Sequence, residues 1–68
     1  MKNTLKVERA KLNITQAELA DKVNVSRQTI NSIEIGKFVP STTLALKLAS
    51  IFNVALETIF VLEEKDWA

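Results

Sequence analysis

Residues 15–34 read TQAELADKVNVSRQTINSIE, and this stretch decides the fold. Thr15-Gln16-Ala17-Glu18 has the form of a capping box. The Thr hydroxyl takes the third backbone N–H of a helix, and the Glu three residues on reaches back to the Thr N–H. Ala17, Leu19, Ala20 and Val23 then form a narrow apolar stripe at helical spacing. Asn24 follows, of a residue type that readily takes a left-handed backbone. Ser26 is suited to cap a second helix, Arg27 to Glu34, with Ile30 and Ile33 on its buried side. The stretch therefore predicts two short helices joined by one sharp turn.

The outer side of the second helix carries Arg27, Gln28, Thr29, Asn31 and Ser32. Only its first residue is charged; the rest are amides and hydroxyls. Guanidinium and amide groups present paired donors and acceptors to base edges, while hydroxyls serve bases or phosphates. A solvated helix face more commonly carries Glu and Lys in i,i+4 pairs. An amide-rich solvent face is the plainer alternative. The tight turn and small Ala20 weigh against it, because two helices crossing through a short turn must approach closely.

This pattern resembles the helix-turn-helix transcriptional regulators of the Cro/repressor, or XRE, type. The matching residues are Thr15-Gln16, Glu18-Leu19-Ala20, Val25 to Asn31, Ile33-Glu34 and Gly36-Lys37, continuing through Pro40-Ser41 and Leu44 to Ala49 to Phe52. Two positions depart from the family: Asn24 stands where Gly is usual, and Ile35 stands where Asn is frequent. Ile35 is therefore not counted as a site residue. The resemblance implies an all-α, compact five-helix, lambda-repressor-like domain that binds double-stranded DNA as a homodimer on a palindromic operator. Arg27, Gln28 and Asn31 would read bases, with Thr29 and Ser32 touching base or backbone. Gln16, Lys37 and Ser41 would hold phosphates. Arg9 would pair with Glu34 and lock the first helix across the end of the third; a surface pair of little energetic weight is the alternative.

Outward from this unit, the sequence predicts a first helix over Leu5–Leu12, with Leu5, Leu12 and Val7 facing the core and Asn13 closing it. Gly36 suits a left-handed helix end, and Ser41 suits the cap of a fourth helix, Thr42–Phe52, buried through Leu44, Ala45, Leu48, Ala49 and Phe52. Asn53 ends it. A short fifth helix, Leu56–Phe60, starts weakly on Ala55. A strand at Val61 to Glu63 pairing with Lys2 to Thr4 would join the termini as a short ribbon. The C-terminal third is richer in apolar residues than one small core needs. Ile51, Leu56, Ile59, Phe60 and Leu62, within residues 51–67, are read as a two-fold dimer surface. The alternative is a tail that covers its own core.

At 68 residues the chain reads as one domain, with the helix-turn-helix unit at 15–34. It contains no Cys and no His, which removes disulfides, thiolate metal sites and the commonest general base. With a single Gly there is no glycine-rich phosphate loop. Catalysis, a metal, a cofactor and a small-molecule ligand are not expected. No run approaches the roughly 20 apolar residues of a membrane span and no leader is evident, so a cytoplasmic protein is expected. Residues 1–37 hold seven basic and four acidic side chains, residues 38–68 two and four. The basic half contains the two-helix unit, as a DNA-facing side requires. A protein-interaction module on the same scaffold, such as an antitoxin or an antagonist of another regulator, is the second reading.

Overall fold

The computed structural model describes all residues 1–68. In order they form β1 (Lys2–Asn3), α1 (Leu5–Lys11), α2 (Gln16–Val23), α3 (Arg27–Glu34), α4 (Thr42–Phe52), α5 (Leu56–Ile59), β2 (Phe60–Val61) and a 3₁₀ turn, Glu64–Trp67. This is the expected all-α, five-helix architecture with a two-stranded ribbon. Lys2 faces Val61 and Asn3 faces Phe60 across an antiparallel pair.

Local chemistry sets the helix starts. Thr15, Ser26 and Ser41 each accept a backbone N–H three residues on, at 3.0, 3.1 and 3.2 Å. Glu18 completes the capping box by accepting the Thr15 N–H at 2.9 Å. The helix ends share one design. Asn13, Asn24, Gly36 and Asn53 all take positive φ. In each case the next residue's N–H returns to a carbonyl five residues back: Ile14 to Arg9, Val25 to Ala20, Lys37 to Ser32 and Val54 to Ala49. Ile14, Val25 and Val54 also pack on the core. Lys37 is the exception and is exposed.

The core joins all five helices through Leu5, Leu19, Ala20, Val23, Ile30, Ile33, Leu44, Ala45, Leu48, Ala49, Phe52, Ile59 and Phe60. Three expectations are corrected. Val7 and Leu12 are exposed, and Glu8 is the buried residue of α1 beside Leu5. Helix α1 stops at Lys11, so Leu12 already belongs to the turn and Ile14 returns to the core instead. The Glu8 carboxylate reaches Lys11 Nζ at 3.2 Å. Second, α5 ends at Ile59, and Phe60 has extended geometry. The ribbon therefore begins at Phe60, not at Val61. Third, Ile59 is wholly covered and Phe60 nearly so within one chain. Ile59 offers no surface to a partner, and Phe60 shows only an edge, in an apolar notch beside Met1, Pro40 and Leu56. Phe60 is paired with Asn3 across the ribbon, and the Ile59 carbonyl accepts the Thr4 N–H at 2.9 Å. Ile51 and Leu56 are half-buried, and Leu62 is exposed.

Candidate nucleic-acid interface

Helix α3 lies against α2 through Leu19, Ala20, Val23, Ile30 and Ile33, all with relative exposure of 2% or less. Its opposite side is open. Arg27, Gln28 and Asn31 are exposed, while Thr29 and Ser32 are half-buried at the edges of the row. The Thr29 hydroxyl lies 2.9 Å from Ser26 Oγ, so it belongs partly to the cap of its own helix. A shallow notch of about 390 Å³ runs beside the row, lined by Ser26, Gln28, Thr29, Ser32, Lys37 and Phe38. Lys37 thus stands beside the polar row. Phe38 was not singled out by sequence reasoning; its only signal was an aromatic residue in an exposed loop between Gly36 and Pro40. Ser41 is exposed at the start of α4, its hydroxyl accepting the Leu44 N–H.

A second open concavity, about 540 Å³, is lined by Arg9, Asn13, Ile14, Thr15, Gln16, Ala17 and Arg27. It surrounds the N-terminus of α2. The capping box satisfies Thr15 and Glu18, and leaves the Gln16 and Ala17 N–H groups outside the intrahelical ladder. Arg27 and the positive end of α2 border it, and both favour an anion.

Behind this surface, Arg9 holds Glu34 with two bonds, Nε to Oε2 at 2.8 Å and Nη2 to Oε1 at 3.3 Å. Its Nη1 donates to the Ile14 carbonyl at 3.0 Å. The Glu34 side chain is only 5% exposed, so this is a packed pair and not a surface one. The hydrogen-bonded carboxylate pushes the Arg9 pKa up further, and the guanidinium stays charged. Gln16 joins the network. Its Nε2 donates to Glu34 Oε1 and to Asn31 Oδ1, both at 3.1 Å. The side-chain amide of Gln16 thus spans from the buried carboxylate to the exposed polar row.

Asn3 also went unread in the sequence. Its Nδ2 donates to the Ile33 carbonyl at 2.8 Å near the end of α3, and its Oδ1 accepts the Leu5 N–H at 3.2 Å. The second contact is an Asx turn, for which Asn-Thr-Leu is a local signal. The first spans thirty residues and has none.

The chain matches the helix-turn-helix family model over residues 5–59. An uncharacterized HTH-type transcriptional regulator of Methanocaldococcus jannaschii is 53% identical over 66 residues, covering 97% of this chain and 100% of the relative. One from Archaeoglobus fulgidus is 47% identical over 66 residues, covering 97% and 93%. The regulator YgzD of Bacillus subtilis is 44% identical over 66 residues, covering 97% and 100%. The capped two-helix unit, its outward polar row and these matches along nearly the whole chain agree: the protein belongs to the helix-turn-helix family of DNA-binding transcriptional regulators, as a small XRE-type member.

Proposed function

We propose that this chain is a sequence-specific repressor that binds a palindromic operator as a homodimer and works in the cytoplasm. The observation that carries the reading is the row Arg27, Gln28, Asn31, exposed on a helix whose other side is locked into the core. Helix α3 enters the major groove and presents this row to base edges. Arg27 suits the acceptor pair of guanine; Gln28 and Asn31 suit adenine. Thr29 and Ser32 flank the row and meet base or backbone. The phosphate strand is held by Lys37, Ser41 and the N-terminus of α2 at Gln16. Two copies place their α3 helices about 34 Å apart, one turn of duplex. The dimer forms through Ile51, Leu56 and Leu62, the remaining accessible members of the expected patch.

Duplexes selected from a random library test the reading. On the selected sequence, Gln28→Ala lowers affinity by about 1–3 kcal/mol and relaxes the preference at one base pair. Lys37→Ala weakens binding to selected and random DNA alike and reduces the salt slope by about one unit. Indistinguishable behaviour of the two variants on both kinds of DNA rejects the assignment.

A further inference from the structure

Three of the four helix ends that close on a positive φ put the next residue against the core: Ile14, Val25 and Val54. The end of α3 does the reverse. After Gly36 the chain leads outward, with Lys37 exposed and Phe38 next, nearly half of its surface (47%) in water. The Ser32 carbonyl accepts both the Lys37 N–H at 2.9 Å and the Phe38 N–H at 3.2 Å, so the backbone under the ring is tied to the last turn of α3. The ring lines the notch beside Ser26, Gln28, Thr29, Ser32 and Lys37, and is the only apolar side chain of the six. The Ser26 and Thr29 hydroxyls lie 2.9 Å apart, and Ser26 Oγ also accepts the Thr29 N–H, so both are engaged by the cap of their own helix.

An apolar ring in water gains free energy when something apolar covers it. Its neighbours say what that is. Gln28 belongs both to the notch and to the base-reading row, and Lys37 sets a cation beside it. With α3 in the major groove, the notch therefore faces the duplex. A phenyl group forms no ordinary hydrogen bond, so phosphates and the donor and acceptor atoms of base edges do not match it. The major groove offers one apolar group, the C5-methyl of thymine. We propose that Phe38 is a specificity-determining residue that reads the C5-methyl group of one thymine in each half of the operator. The inference rests on the DNA-reading function proposed above, and adds to it an apolar contact made from outside α3. Adenine, guanine and cytosine carry no methyl group there, so each loses the contact.

Deoxyuridine tests this directly, because it removes the methyl group and keeps the pairing and hydrogen-bonding edges of thymidine. On a duplex selected by the unaltered protein, thymidines are replaced one at a time in one half of the site. One replacement should lower affinity about 4-fold, the worth of one buried methyl group. 5-Bromodeoxyuridine at the same position, its bromine close to a methyl group in size, should restore binding. Phe38→Ala should bind the thymidine and deoxyuridine duplexes equally at that position, and Phe38→Leu, which stays apolar, should keep part of the difference. Uracil tolerated at every position overturns the proposal. So does a thymidine preference that survives Phe38→Ala, which gives the methyl group to another residue. A loss in Phe38→Ala that is equal on selected and random DNA also overturns it, placing the ring on the sugar-phosphate backbone. If the unaltered protein selects no sequence, the DNA reading itself fails and the role of Phe38 falls with it; a selected sequence blind to uracil removes Phe38 alone.

Discussion

Single residues do much of the ordering in this molecule, and Arg9 is the clearest case. It cannot be buried without a partner, and Glu34, 25 positions away in sequence, provides two oxygens to match its fork. Losing Arg9 leaves the Glu34 carboxylate at 5% exposure with no cation. Arg9→Ala should therefore cost about 3 kcal/mol, mostly from the abandoned charge. For a domain whose total stability is about 5 kcal/mol or little more, that removes much of the margin. Arg9→Lys should restore only part of it, because a point charge cannot make the paired contact. Thermal and denaturant melts of the three proteins check the order; equal stability of Arg9→Ala and the parent would reduce the pair to a surface contact. Ala20 acts by size instead. With 2% exposure where α2 meets α3, it leaves no room for larger groups. Ala20→Leu should destabilise by about 1–3 kcal/mol through overpacking, read from the same melts.

Among the elements, the helices were legible because their signals are local. Thr15, Ser26 and Ser41 announce α2, α3 and α4, and Asn13, Asn24 and Asn53 announce where α1, α2 and α4 stop. Less legible were features decided by distant neighbours. Nothing near Phe60 says that it turns into a strand, because its partner is Asn3. Nothing near Glu8 says that it packs beside Leu5 while Val7 and Leu12 stay outside. In the candidate interface, the polar row on α3 was readable from helical period, but the hydrogen bonds that tie Gln16 to Asn31 and Glu34 cross between two helices. The ribbon element carries a pH prediction. The Met1 amine lies 2.9 Å from Glu63 Oε1 and 3.0 Å from Asp66 Oδ2. The hydrogen bonds it donates to Glu63 first, then to Asp66, push the amine pKa up. The amine pushes Glu63 down, and the Glu63 backbone N–H, then the amine, push Asp66 down. A raised amine stabilises fully below its ordinary value, about 8, and stops doing so as pH rises through the folded value. Lowered carboxylates stabilise above about 4 and stop as pH falls through their folded values. The fluorescence of Trp67, the only Trp, should be flat between these limits and change beyond each while α2 to α4 stay folded. A signal that is level across both limits denies the clamp.

For the molecule as a whole, charge divides along the chain. The basic half of the sequence supplies α1 to α3 and Lys37, and the acidic half supplies the last turn with Glu63, Glu64 and Asp66. Exposed Leu62, at 57%, and half-buried Leu56 lie in that second half. In the proposed dimer, Leu62→Glu should weaken self-association while leaving the monomer's core intact. Sedimentation should report a monomer at concentrations where the parent dimerises, and affinity for a two-fold operator should fall more than affinity for half of it. An unchanged sedimentation profile removes Leu62 from the interface. The repeated helix ending has one more consequence, for how long a molecule survives chemically. Asparagine ages when the nitrogen of the following residue attacks its side-chain carbonyl, expelling ammonia through a cyclic imide. At Asn13, Asn24 and Asn53 that nitrogen belongs to Ile14, Val25 and Val54, each branched at Cβ and each with its hydrogen held by a carbonyl at 3.2, 3.0 and 3.1 Å. Ring closure at any of the three requires the helix end to open first, so the amides that shape the turns are shielded from their own decay for as long as the chain stays folded.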